Sequence, residues 1–202
     1  MRPTDFLLCV AHCDDAELWA GGTIAKLAKA GKNVVAAIAH HDDLRRNEVV
    51  SSAKILGYEI RFREKDASLF DWIENCFSEL RPEVLATHPA GDPHFEHDEV
   101  SHMVTKVLTK STQRKNYPKR WYWFDTYYST DSQGHSVLID ISDYFERKIS
   151  ALECHQSQSP GDLIKMARAM NALNGMRIRT QYAEAFYTFP LLGRVPRLRE
   201  LP

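Results

Sequence analysis

Short apolar runs alternate with helical stripes through the first half of the chain, and this alternation restricts the fold more than any other feature. Asp5 to Ala11 reads as a buried strand, Asn33 to Ala39 as a second, Tyr58 to Arg63 as a short third and Glu83 to Thr87 as a fourth. Between them, Gly21 to Ala30 reads as a helix stopped by Gly31, because glycine tolerates the positive φ that ends helices. Val49, Val50, Ala53 and Leu56 fall on one helical face, with Gly57 at the stop. Asp71 to Leu80 carries the next stripe (Trp72, Ile73, Cys76, Phe77, Leu80), and Val100, Met103, Val104, Val107 and Leu108 form another. This order predicts an α/β fold: a doubly wound, mostly parallel, Rossmann-like sheet with helices on both faces. Such sheets place their sites at the carboxyl ends of strands, near a switch in strand order.

After the polar stretch Lys110 to Lys119 the pattern changes. Trp121 to Ser129 and Val137 to Ile141 look like later strands, and Ser142 to His155 and Pro160 to Gly175 look helical. With 202 residues, 44 % of them apolar, residues 1–202 are expected to form a single domain whose core needs no disulfide or metal staple. The balance of 26 Lys+Arg against 27 Asp+Glu argues against non-specific binding to nucleic acid or an anionic membrane. No apolar run approaches the roughly 20 residues of a membrane span. The N-terminus meets acid too soon for a signal peptide. Cys9, Cys13, Cys76 and Cys154 form no C-x-x-C pair, so the expected compartment is a reducing cytoplasm.

Two segments carry the chemistry. Just past the first strand stand His12, Cys13, Asp14 and Asp15. A His with an Asp three positions on, at a strand-to-helix turn, can converge on one divalent metal, for which imidazole nitrogen and carboxylate oxygen suit zinc. The two aspartates can equally cap the following helix, where carboxylates favour the positive dipole end. The fourth strand then runs into His88, Asp92, His94, Glu96 and His97, a concentration of ligands and proton carriers at the same sheet edge. His12, Asp15 and one histidine from this loop give three protein ligands and an open position, the catalytic rather than the structural zinc pattern. His94 and His97 are three apart, so if His97 ligates, His94 can face substrate with Glu96 orienting its ring.

These segments resemble the signatures of the LmbE/PIG-L superfamily of metal-dependent N-deacetylases. AHCDDAELWAGGT is similar to A-H-P-D-D-E followed by G-G-T, with Cys13 in place of proline. THPAGDPHFEH is similar to the second signature, with Glu96 in place of aspartate. LRRNEVVSSAKILG puts Arg45 and Glu48 in the positions of an R-x-x-E helix, and KISALECHQSQ and QYAEAF resemble the two C-terminal motifs. The matches run in order from residue 5 to about residue 186.

The resemblance implies that His12, Asp15 and His97 hold zinc, with iron(II) as the alternative ion. It implies that Asp14 is the general base toward the water the metal activates. His94 would stabilise the oxyanion or protonate the leaving amine, with Glu96 orienting it. Arg45 is the expected substrate contact, since guanidinium presents a rigid fork of donors, against the alternative of a solvated helix start. Asp92 is expected to bind a sugar hydroxyl or to hold its loop. His155 is expected at the edge of the site or satisfied in the core. The implied substrate is a small N-acetylated molecule, a sugar or glycoconjugate, and relatives of both monomeric and ring-shaped assembly leave room for a homo-oligomer. Hydrolysis of another amide or an ester is the rival within the class, and a non-catalytic metal- or sugar-binding protein the rival outside it. His40, His41, Asp42 and Asp43 follow the second strand where relatives show Thr and Gly; this loop is expected to border the substrate pocket, as a polar loop or a second metal site. Trp121 to Tyr128 can supply a stacking wall for a sugar or a strand with one core face.

Overall fold

The computed structural model describes residues 3–111, 118–127, 137–196 and 201–202. Strands β1 (Phe6–Val10), β2 (Val34–Ile38), β3 (Glu59–Phe62), β4 (Val84–Thr87), β5 (Arg120–Phe124), β6 (Val137–Asp140) and β7 (Ala183–Thr188) form one sheet in the order β3-β2-β1-β4-β5-β7-β6. The first five are parallel. β7 runs antiparallel to both β5 and β6. The apolar runs lack alternation because the sheet is covered on both faces. Phe6, Leu8 and Val10 pack with helices α1 (Asp15–Lys29), α2 (Asp43–Leu56), α5 (Phe145–Leu152) and α6 (Pro160–Ile178). Leu7, Cys9 and Ala11 pack with α3 (Leu69–Leu80) and α4 (Phe95–Ser111).

Strand order reverses at β1, which pairs with β2 on one side and β4 on the other. The loops leaving β1 and β4 therefore meet at the carboxyl edge, which is where a doubly wound sheet places its site.

Several details differ from the expectations. α1 begins at Asp15, not Gly21, and carries Gly21 and Gly22 in its interior. The reason is close packing: a Cβ on Gly21 would stand 3.0 Å from Lys148 Cγ, and one on Gly22 2.6 Å from Ile141 Cβ. Val50 is 40 % exposed, and its expected place in the core is taken by Ser52, which donates to the buried Glu17 carboxylate. The segment expected to be helical from Ser142 divides into a 3-10 turn (Ser142–Tyr144) and α5, with a second 3-10 turn at Gln156–Gln158. Tyr128 and Ser129, expected in the fifth strand, lie outside the described residues. β7 is a strand that the sequence pattern does not predict; its Glu184 is almost fully buried. Lys148 Nζ donates to Glu184 at 2.7 Å and to Asn171 Oδ1 at 2.8 Å. Glu184 also accepts from the backbone N–H of Gly22 (2.9 Å) and Thr23 (2.7 Å), tying α1 to β7.

Candidate metal centre

Residues 11–14 bridge β1 and α1, and residues 88–94 bridge β4 and α4. His12, Asp15 and His97 are all buried where these connections meet. His12 Nδ1 lies 3.5 Å from Asp15 Oδ2, His97 Nε2 lies 3.3 Å from Asp15 Oδ1, and the two ring nitrogens are 3.3 Å apart. Tetrahedral zinc with bonds of 2.0–2.1 Å requires ligand-to-ligand edges of about 3.3–3.4 Å.

Hydrogen bonds decide which lone pairs are free. A carboxylate only accepts, so the 2.7 Å contact of His12 Nε2 with Glu96 Oε2 places the proton on Nε2 and leaves Nδ1 a bare acceptor. Asp92 Oδ2, 3.3 Å from His97 Nδ1, does the same for His97 and frees its Nε2. Asp15 Oδ2 takes the His12 backbone N–H at 2.7 Å, leaving Oδ1. His12 Nδ1 and His97 Nε2, 3.3 Å apart, and Asp15 Oδ1, 3.3 Å from His97 Nε2, are thus left unspent, and imidazole nitrogens with a carboxylate oxygen are a donor set whose chemistry fits a divalent cation.

Among the described residues, donor atoms gather within 4.8 Å of one another in two groups that share His97, His12–His94–His97 and Asp15–His88–His97, so His12 and Asp15 are brought together through His97. His88 is less suited as a ligand, because its Nε2 accepts the Ala11 N–H at 3.0 Å. Its fully buried ring stacks on His97 at 3.9 Å and backs the ligand against the sheet. Burial works to lower the His97 pKa, but Asp15 and Asp92 outweigh it and raise the group to about 10.

The remaining expected residues separate. Asp14 stands at the N-cap position of α1, yet its side chain makes no capping bond and lines a cavity of 260 Å³ beside the donor cluster. Burial, then the charge of Asp15, raise its carboxyl above the ordinary range. Exposed His94 lines the same cavity, with its ring 4.4 Å from His97. Glu96 meets His12 rather than the expected His94, because its position in the first turn of α4 aims it across to the β1 loop. Asp92 is buried and spent within its own loop: Oδ1 accepts the His94 N–H at 2.9 Å while Oδ2 holds His97. These contacts favour the loop-holding alternative of the two expected for it. Burial pushes the Cys13 thiol up to about 12, which leaves no thiolate for nucleophilic chemistry where relatives carry proline.

Arg45 lines the cavity, and its Nη2 donates to Gln158 Oε1 at 2.8 Å. One turn on, Glu48 accepts from Ser157 N (2.8 Å) and Ser157 Oγ (2.7 Å). The R-x-x-E and H-Q-S-Q motifs are thus two halves of one clamp. His155 is fully buried, with Nε2 3.7 Å from Glu17 Oε2, so it belongs to the support behind the site. The loop after β2 does not line this cavity. Asp42 caps α2 by accepting the Arg45 N–H at 2.8 Å, and His40 Nδ1 approaches Glu96 Oε1 at 3.7 Å. His40 to Asp43 instead border a separate cavity of 520 Å³. Among the described residues, His40 and His41 join neither ligand group.

A family model described as PIG-L, GlcNAc-PI de-N-acetylase, matches residues 7–108. The chain belongs to the PIG-L family. The matched span of this PIG-L protein runs from β1 into α4 and holds the whole donor cluster. Its fold is similar to that of the conserved protein TT1542 from Thermus thermophilus (22 % identity, 98 % of this chain and 100 % of that one, TM-score 0.80). It is similar to N,N'-diacetylchitobiose deacetylase from Pyrococcus horikoshii (21 % identity, 93 % and 85 %, TM-score 0.74). It is also similar to GalB, the 4-carboxy-2-hydroxymuconate hydratase from Pseudomonas putida (20 % identity, 98 % and 99 %, TM-score 0.77). No helix among the described residues is long and apolar enough to cross a membrane.

Arg45→Ala removes the one guanidinium that lines the cavity among the described residues while leaving the donor cluster untouched. A charge-assisted hydrogen bond to substrate predicts a fall in kcat/KM of roughly 10- to 100-fold with metal content unchanged. Unchanged kinetics on a turned-over substrate would return Arg45 to a purely structural clamp.

Proposed function

We propose that this PIG-L protein is a zinc-dependent hydrolase that removes an N-acetyl group from an amino sugar or sugar conjugate, with residues 1–202 acting as one catalytic domain. The observation that carries the reading is the separation of duties at the β1–α1 turn. Asp15 faces His12 and His97, while the adjacent Asp14 stays outside that group with an uncommitted carboxylate in the cavity. A binding module has no use for such a base. Family membership and a deacetylase among the structural neighbours support the same reading.

In this reading His12, Asp15 and His97 hold the cation. When bound, it supplies Lewis acidity and brings the pKa of water toward 7. Asp14 accepts the proton of the attacking water, and its raised pKa suits a base working near neutrality. His94, on the cavity rim, is placed to stabilise the developing oxyanion or to deliver a proton to the departing amine. Glu96 and Asp92 act through the ligands, by fixing the tautomers of His12 and His97. Arg45, held by Gln158, is aimed at the oxygens of the sugar.

The test is acetate release from a panel of N-acetylated sugars, free, nucleotide-linked and inositol-linked, with and without chelator. We expect release from at least one, its loss on chelation, and recovery on adding back zinc, with iron(II) as the comparison ion. Far-UV circular dichroism should stay near native throughout, because the two-faced core does not depend on the cation. Hydration of an enol or alkene without acetate release would place the chain with the hydratase neighbour instead. Unfolding on chelation would make the cation structural.

A further inference from the structure

The cavity over the donor cluster is not a closed room. Its 260 Å³ is bounded by Tyr127 and Met166, and the same two residues bound a second cavity of 400 Å³ running along α6. Alone, the first is smaller than the roughly 300–1,000 Å³ of ligand pockets; joined to the second it falls within that range. The Tyr127 ring, 48 % exposed, borders both spaces, and on the side of the first cavity it stands 5.6 Å from the Trp19 ring.

The second cavity has a definite chemistry. Met166, Ala169, Met170 and Leu173 line it at i, i+3, i+4 and i+7, one face of α6 turned toward the groove. Polar groups at its far end are bonded among themselves. Asn174 Nδ2 donates to Asp125 Oδ2 at 2.8 Å, and Arg177 Nη1 donates to Asn174 Oδ1 at 2.7 Å. What the groove offers a ligand is therefore apolar contact, from methionines that adapt to irregular shapes and from Leu173, which is 55 % exposed. A hydroxyl-rich sugar chain would find few partners there; an alkyl or aryl group would.

We propose that the groove along α6 is a substrate subsite for an apolar aglycone, so that the preferred substrate is an N-acetylated amino-sugar glycoside bearing an alkyl or aryl substituent. The proposal rests on the deacetylase reading for the chemistry, but the groove is argued from its own walls. With the acetamido group at the donor cluster and the sugar ring beside Trp19 and Tyr127, the glycosidic substituent has the α6 groove as its continuation.

The experiment compares methyl and hexyl glycosides of N-acetylglucosamine on the zinc-loaded protein, below the micelle concentration of the hexyl compound. Each buried methylene is worth about fourfold, so burial of two or three predicts kcat/KM at least tenfold higher for the hexyl glycoside. Leu173→Glu, a change at an exposed position, should cut the hexyl-to-methyl ratio at least fivefold. Calorimetric Kd values for the same pair give a readout independent of turnover. Equal kcat/KM and equal Kd for the two sugars overturns the groove and leaves the deacetylase reading standing. A ratio unmoved by Leu173→Glu also overturns it. No acetate from either sugar, with hexyl binding tenfold tighter and weakened by Leu173→Glu, retains the groove; the deacetylase reading falls only if the whole sugar panel also yields no acetate.

Discussion

Lys148→Met should lower the free energy of unfolding by about 3–5 kcal/mol, read from urea denaturation. The Lys148 and Glu184 side chains are both fully buried, 2.7 Å apart, at the junction of α1, α5, α6 and β7. Methionine keeps the length and volume of the side chain, so the loss isolates the charge. Glu184 would remain in the core with the Gly22 and Thr23 N–H groups but no cation. Burial also lowers the Lys148 pKa, which the Glu184 charge opposes. Adding Glu184→Gln to Lys148→Met should recover much of the loss, because the uncompensated charge is gone. A change within about 0.5 kcal/mol for Lys148→Met alone would show that the pair carries no such weight. The same lock grips the middle of α1, the helix whose first turn presents Asp15.

The parallel half of the fold was legible because its central strands β1, β2 and β4 are short buried runs covered on both faces, and its helices carry apolar stripes at 3.6-residue spacing. The errors fall where tertiary packing overrides local preference. Gly21 was expected to open the first helix, yet it lies with Gly22 inside α1, where Lys148 and Ile141 approach too closely for a Cβ. β7 carries a buried glutamate, which no hydropathy pattern assigns to a core strand; only its pairing with Lys148 explains it.

That His12 and Asp15 meet the histidines after β4 was legible from residue type and spacing, since the two share a turn at the same sheet edge; the choice of His97 among those histidines came from the family resemblance alone. Which carboxylate serves which ring was not. Glu96 is adjacent to His97 and two residues from His94 in sequence, but it bonds His12 across the strand gap, 84 positions away. The Arg45–Gln158 and Glu48–Ser157 contacts span 113 and 109 positions and left no local trace. Trp19 carried a usable signal: it stands four residues after Asp15, on the same face of α1, and therefore lines the same cavity.

Two adjacent aspartates do different things in the catalytic reading, and metal content measured beside kcat for Asp14→Asn and Asp15→Asn tests it. Asp15 Oδ1 is one of three lone pairs at the donor cluster, so replacing the carboxylate by a neutral amide should sharply weaken metal binding. Asp14 shares none of those contacts, so Asp14→Asn should keep its metal, still held by His12, Asp15 and His97. Its kcat should fall about 10²–10⁴-fold, the usual cost of losing a general base. Metal retained with kcat lost in Asp14→Asn, and metal lost in Asp15→Asn, is the predicted result. Metal lost from Asp14→Asn and retained in Asp15→Asn, or parent rates in both, would contradict it.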